Sequence, residues 1–178
     1  MGDRRTRSGR NFFHTPQLPQ PSGVRASRFS NHIQDMATKC YFLEITDKQR
    51  RRDWSDGTGY SMDRIYRRTD TGEEMTLSEA TPGAMWYADW MLELGHDEWV
   101  GPDGHSLVVK CPNGTDWAID SRASNCTLPN DSKHKCWIRH GTPPNITVDK
   151  NGLTCAAGAG SIQAGDYHGF LRAGQFDP

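Results

Sequence analysis

Ser161 and His168 stand seven residues apart in a stretch with almost no side-chain bulk, Thr154-Cys-Ala-Ala-Gly-Ala-Gly-Ser161-Ile162, followed by Gly165-Asp-Tyr-His168-Gly-Phe-Leu-Arg-Ala-Gly174. A hydroxyl is a weak nucleophile unless a base lies within about 3 Å. The bare backbone at Gly158 and Gly160 could leave amide N–H groups open to a developing oxyanion. The pair therefore has the parts of an acyl-transfer site, and Asp166, Asp149 or Asp120 could orient the imidazole. Cys155 with His168 is the thiol version of the same chemistry. The nucleophile-elbow pattern G-x-S-x-G is absent, so a tightly packed strand crossing beside a half-buried His168 is the plain structural alternative.

A second set is metal-like: Cys111, Cys126, His134, Cys136 and His140 fall within thirty residues. Zinc takes four thiolate or imidazole ligands, usually delivered as close pairs such as C-x2-C, and no such pair occurs here. The expectation is therefore buried cysteines acting as small apolar residues, with no metal and no cofactor. The motif Ile119-Asp-Ser-Arg-Ala-Ser-Asn-Cys126 joins a charged pair to small polar residues. Asp120 and Arg122 could pair across a bend while Ser124, Asn125 and Cys126 line a pocket, or the segment is a turn held by its own side chains.

These residues are positioned by short strands between turn signals. Strands are expected at 40–45, 64–68, 74–77, 105–111, 115–119, 136–139, 145–148, 153–156 and 168–171. Pro112-Asn-Gly114 makes the clearest hairpin and Asp70-Thr-Gly72 a second. Asp149-Lys-Asn-Gly152 reads as a further turn, and Gln163-Ala-Gly-Asp166 is short enough to join two strands that bring Ser161 and His168 onto one face. The one helix expected is Ala84 to Leu94, where Met85, Tyr87, Trp90, Met91 and Leu94 partly fit helical spacing. The fold class is mainly β: a single small domain of short antiparallel strands with an extended basic N-terminal arm.

Over the 178 residues, 21 Lys and Arg oppose 22 Asp and Glu, so net charge defines no partner. Leu, Ile, Val and Phe together number 27, and six Trp and five Tyr stand in for the missing aliphatic mass, which predicts a small aromatic core around Trp86, Trp90, Trp117, Trp137, Val108 and Ile119. Residues 1–35 carry six Arg, two Asp and three Pro but no Trp or Tyr. Such a segment cannot offset its ordering entropy alone, so it reads as a flexible or extended arm. The remainder, 36–178, is the mainly β domain. The arm could meet a neighbouring subunit or another protein; alternatively Met36 is the natural start. No apolar run approaches the ~20 residues of a membrane helix, and no secretory signal is evident. No membrane or nucleic-acid partner is expected. The five cysteines are odd in number and are expected to be reduced, and Asn113, Asn125, Asn130 and Asn145, although in N-x-S/T sequons, read as turn residues.

At Arg64-Ile-Tyr-Arg-Arg68 with Asp70-Thr-Gly-Glu-Glu74, at Pro82-Gly-Ala-Met-Trp86, at Ile119 to Thr127 and from Cys136 to Phe170, the chain resembles a group of short proteins from bacteriophages and prophage-bearing bacteria. The resemblance spans about residues 40–176. Members of that group often carry a Cys-rich, zinc-ribbon-like insert shortly after the first strand. This chain has Asp47 to Asp63 there, without cysteine, so the group's metal does not carry over. More distantly, Leu107-Val-Val-Lys-Cys-Pro-Asn-Gly114, Gly160-Ser-Ile162 and His168-Gly-Phe-Leu-Arg-Ala-Gly174 are similar to a larger family of small β proteins, some of them peptidases in bacterial ubiquitin-like operons. By that similarity Ser161 and His168 map onto the family's Ser and His, whereas its Cys before the His is Tyr167 here and its second Cys after Cys-Pro is missing.

Two functions of different class follow. The first is a phage-type Ser/His, or Cys/His, hydrolase of peptidase-like type with Ser161 or Cys155 as nucleophile, His168 as base and Asp166 as orienting group. The second is a non-enzymatic phage structural or accessory protein that docks into a larger assembly through its arm. The expected location is the bacterial cytoplasm or a phage particle.

Overall fold

A computed structural model describes residues 37–178 except Pro129, Ser132, 151–154 and 156–160. The expected arm at 1–35, and all of the expected strand at 153–156 except Cys155, lie outside the described residues.

Alternation of apolar residues that fill two different sides organises the chain. β1 (Thr38–Lys39) leads through Cys40 into the long β2 (Tyr41–Asp53), which pairs with β3 (Tyr60–Arg68), and β3 in turn with the short β4 (Glu74–Met75). β5 (Ala84–Tyr87) runs parallel to β2, and β6 (Leu107–Lys110) and β7 (Asp116–Ala118) extend the sheet antiparallel, in the order β4-β3-β2-β5-β6-β7. Phe42, Met85, Leu107, Val109 and Trp117 face one core; Tyr41, Leu43, Ala84, Trp86 and Val108 face another. A sheet covered on both sides reads as a continuous apolar run, which accounts for Leu107-Val-Val109.

The first core is closed by the hairpin of β8 (Trp137–Thr142) and β9 (Asn145–Lys150) and by β10 (Ile162–Ala164), β11 (Tyr167–Arg172) and β12 (Gln175–Asp177). β1 pairs with β12, so the chain changes sheets at Cys40, whose N–H donates to Gly174 while the next N–H, of Tyr41, donates to Gly83. Both glycines have positive φ, and a Cβ on Gly83 would strike the carbonyl of Lys39. The second core is covered by Tyr66, Met75, Ala80, Trp90 and Met91.

The mainly β reading holds, with three corrections: the β2–β5 pair is parallel within an otherwise antiparallel sheet; Asp149 and Lys150, expected in a turn, continue β9 because they pair with Ile138 and Trp137; and the expected helix is mostly strand. The segment 84–94 is not a helix throughout: its first four residues form β5, and only Trp90–Glu93 forms the single-turn α1. Ala84, Met85 and Trp86 are consecutive and all buried, which a helix with one wet face cannot arrange but a central strand can. Trp86 and Trp117 are buried as expected, whereas Trp90 and Trp137 are half-buried.

Candidate active site and thiol cluster

The turn at Gly165-Asp166 joins β10 to β11 with the register Ala164 to Tyr167, Gln163 to His168 and Ile162 to Gly169. Gly165 takes the positive φ that this two-residue turn needs. Ile162 and Ala164 point into the core, so Gln163 and His168 share the outer face, and Ser161, two residues before Gln163, lies diagonal to His168 rather than opposite it. The Ser161 Oγ to His168 Nε2 distance is 3.0 Å. The pair sits in a cleft of about 440 Å³ lined also by Trp117, Trp137, Arg122, Ser124, Asn125 and Gln163. Trp117 and Trp137 meet edge to face, with ring centroids 5.4 Å apart.

The aspartates considered for orienting the imidazole are engaged elsewhere. Asp166 accepts from Asn113 Nδ2 at 2.7 Å, which ties the Pro112-Asn-Gly114 turn to the β10–β11 turn. Asp149 lies 3.5 Å from His140 on the outer face of the β8–β9 hairpin. Asp120 is buried against Arg139, whose Nε donates to both of its oxygens at 3.0 and 3.1 Å, and also accepts the Leu107 N–H. Among the described residues no carboxylate reaches His168. Asp120 and Arg122 do not pair: Arg122 instead donates to the carbonyls of Leu128 and Asp131, bracing the loop that follows β7. Ser124 and Asn125 of that loop do line the cleft, and Cys126 points elsewhere.

Cys126, His134, Cys136 and Cys155 converge, with their ligand atoms all within 4.8 Å of one another. This places Cys155 with two other thiols and an imidazole, apart from the residues lining the Ser161–His168 cleft. Ala123 N–H donates to Cys136 Sγ and Leu128 N–H to Cys126 Sγ, each at 3.4 Å. Burial pushes the Cys136 thiol up to about 11 against the Ala123 N–H. Cys126 is held below the usual thiol value: burial opposes this, but the Leu128 N–H, the Cys136 and Cys155 thiols and the Arg122 charge outweigh it. None of the five cysteines forms a disulfide. Cys40 and Cys111 do act as small core residues, both driven to about 12, chiefly by burial.

Of the metal-like set read from sequence, Cys126, His134 and Cys136 come together, while Cys111 and His140 do not. The fourth member, Cys155, was missed because it lies nineteen residues beyond Cys136, and no spacing rule connects them. Comparison with protein-family models, curated proteins and solved structures returns no match.

Proposed function

We propose that the chain is a small hydrolase of peptidase-like type, in which Ser161 attacks a carbonyl carbon and His168 Nε2 accepts the hydroxyl proton. The observation that supports this reading is the 3.0 Å contact between Oγ and Nε2 at an accessible cleft. That distance is within the reach required of a nucleophile and its base. The proton taken by His168 would return to the departing amine or alkoxide, after which water repeats the cycle on the acyl-serine. The cleft combines indole surfaces with the amides of Asn125 and Gln163, which suits a polypeptide: apolar side chains for the rings, peptide groups for the amides. With no carboxylate on the imidazole among the described residues, the base is a dyad member, and turnover should be slow relative to a full triad.

A fluorophosphonate probe followed by peptide mapping tests this directly. Labelling at Ser161 that is lost in Ser161→Ala and in His168→Ala supports the dyad. A wild-type chain that stays unlabelled, or variants labelled like the wild type, removes it.

The second reading, a non-enzymatic component of a phage assembly, is favoured by a different feature. The β2–β3 ribbon presents Ile45, Trp54, Tyr60 and Met62, each about half exposed. Scattered single apolar residues need no explanation, but four on one ribbon suit a protein partner. Failure of the probe experiment together with retained folding would leave this reading as the better one.

A further inference from the structure

We infer that Cys126, His134, Cys136 and Cys155 form a closed structural zinc site that pins the loop wall of the cleft. Three thiols and one imidazole offer a complete Cys3His set, and their ligand atoms already converge within 4.8 Å. Zinc–sulfur bonds of about 2.3 Å and zinc–nitrogen bonds of about 2.0–2.1 Å at tetrahedral angles imply ligand-to-ligand edges of roughly 3.5–3.8 Å. The Cys136 Sγ to His134 Nε2 distance is 3.6 Å, the edge expected of two ligands on one ion.

Three features fit thiolate ligands better than inert thiols. Two of the sulfurs receive backbone N–H donors, from Ala123 and Leu128, the supporting contacts that hold a thiolate in place and lower its charge density. Arg122, next to the Ala123 N–H donor, grips the Leu128 and Asp131 carbonyls and so brings a guanidinium into the same loop. A zinc dication with three thiolates carries a net charge of about −1, which a neighbouring guanidinium offsets. Finally, His134 and Cys136 are buried at the end of a segment whose described residues form neither helix nor strand, where apolar packing is scarce.

The donor set also selects the ion. Soft sulfur ligands with one imidazole discriminate against calcium and magnesium, which require oxygen. Four protein ligands leave no open position, so the ion would be structural and would activate no water. Its consequence for the cleft follows from chain connectivity. Asn125, which lines the cleft, immediately precedes Cys126, and Trp137 immediately follows Cys136. Joining Cys155 to these loops would tether the chain six residues before Ser161. The inference does not depend on the hydrolase reading, because a non-catalytic domain would be braced in the same way.

Metal analysis of the purified full chain should find about one zinc per molecule, retained through gel filtration. Cys136→Ser should lose it, Cys111→Ser should keep it, and His134→Cys should keep it as a four-thiolate site. Cobalt(II) exchange should give the visible bands of tetrahedral thiolate coordination. Cys126 and Cys155 should resist alkylation until a chelator is added, while Cys40 and Cys111 stay protected until unfolding. Should Cys136→Ser fail to fold, the His134→Cys variant and the cobalt spectrum of the wild type still decide. A chain that contains no zinc and takes up none on reconstitution overturns the inference. So does equal alkylation of Cys126 and Cys155 with and without chelator, or a disulfide between two of the three cysteines in the native protein.

Discussion

The centre of the six-stranded sheet and the wall of the cleft are built by different physics. In the sheet, Leu43, Met85, Trp86, Leu107 and Val109 are almost completely buried, and each strand is hydrogen-bonded to neighbours on both sides. In the wall, from Ser121 to Lys135, the described residues form neither helix nor strand, and His134 is the one residue buried among them. Order there comes from Arg122 gripping two carbonyls, the Asp131–His134 turn, and the convergence of thiols and imidazole. Apolar burial is nondirectional and tolerates slow change, whereas a wall held by a few polar contacts keeps its shape only while each is intact. The cleft is therefore the part of the molecule that can be lost without unfolding the rest.

Between the two regions lies a buried ionic joint. Arg139 of β8 is almost fully enclosed and bridges Asp120, just past β7, to Asp103. Tyr87 donates its hydroxyl to Asp103 at 3.0 Å, and Gly101 packs so closely on the Arg139 guanidinium that a Cβ there would collide with it.

The sharpest way to break the contrast is at the sheet. Trp86→Ala should lower unfolding free energy by about 3–5 kcal/mol in urea titration, because a large buried indole leaves a cavity that the sheet cannot collapse. Ser124→Ala and Asn125→Ala, on the wall, should stay within about 0.5 kcal/mol. Similar losses at both places would show that the wall is as integral as the sheet. The joint comes next: Arg139→Met removes the partner of a buried carboxylate, which typically costs about 3–5 kcal/mol. Pairing it with Asp120→Asn should recover much of that loss, since the uncompensated charge is then gone. If the double variant is no better than the single one, packing rather than charge sets the penalty.

A smaller effect appears in acid. Asp103 is held down to about 2: burial opposes ionisation, but the hydrogen bond and charge of Arg139, with the His105 N–H and the Tyr87 hydroxyl, outweigh it. An acid whose folded value is depressed contributes stability that is present above its unfolded value and lost as pH falls through its folded one. Asp103 therefore adds to an acid limb between about pH 4 and about pH 2. Asp120 works in the opposite sense, because burial pushes it up despite Arg139, so its protonation favours the folded chain as pH falls. Asp89, on the far side of His105, shares the neighbourhood. Exposed carboxylates lowered by local hydrogen bonds, such as Asp70 and Glu79, contribute to the same limb, so the informative quantity is a difference. Asp103→Asn should show a shallower loss of urea midpoint from pH 4 to pH 2 than the wild type, and an identical slope would exclude Asp103 as a contributor.

What the sequence revealed follows the same division. The hairpins around Asp70-Thr-Gly72 and Pro112-Asn-Gly114 were legible because turn chemistry and flanking apolar residues are local. The meeting of Ser161 and His168 on one face was legible for the same reason, but not its register: the two-residue turn sets Gln163, not Ser161, opposite His168. The outer half of β2, Lys48 to Asp53, was not: its charged residues carry no apolar alternation because both faces meet water, and pairing rests on contacts such as Arg52 with Asp63 and Arg51 over the Tyr60 ring. The partner of Asp120 was misplaced because Arg122 is near in sequence whereas Arg139 is near only once β8 docks. Cys155 joins the thiol cluster across a similarly nonlocal gap.

The smallest predicted effect sets the two regions side by side through one chemical change. Ser106, at the entry to β6, is fully buried, and its Oγ meets no hydrogen-bond partner among the described residues, although its backbone N–H reaches Asp89 at 3.1 Å. A hydroxyl taken out of water without a partner is unfavourable, so Ser106→Ala should raise stability by up to about 1 kcal/mol and leave probe labelling unchanged. Ser161→Ala deletes the same atom at the cleft, where Oγ is hydrogen-bonded to His168 near solvent. Its effect on stability should be within about 0.5 kcal/mol, while fluorophosphonate labelling disappears. Urea titration and labelling of the two variants side by side separate the cases. A loss of stability in Ser106→Ala would mean that the sheet does use that hydroxyl, and that polar contacts hold more of this region than its apolar packing suggests.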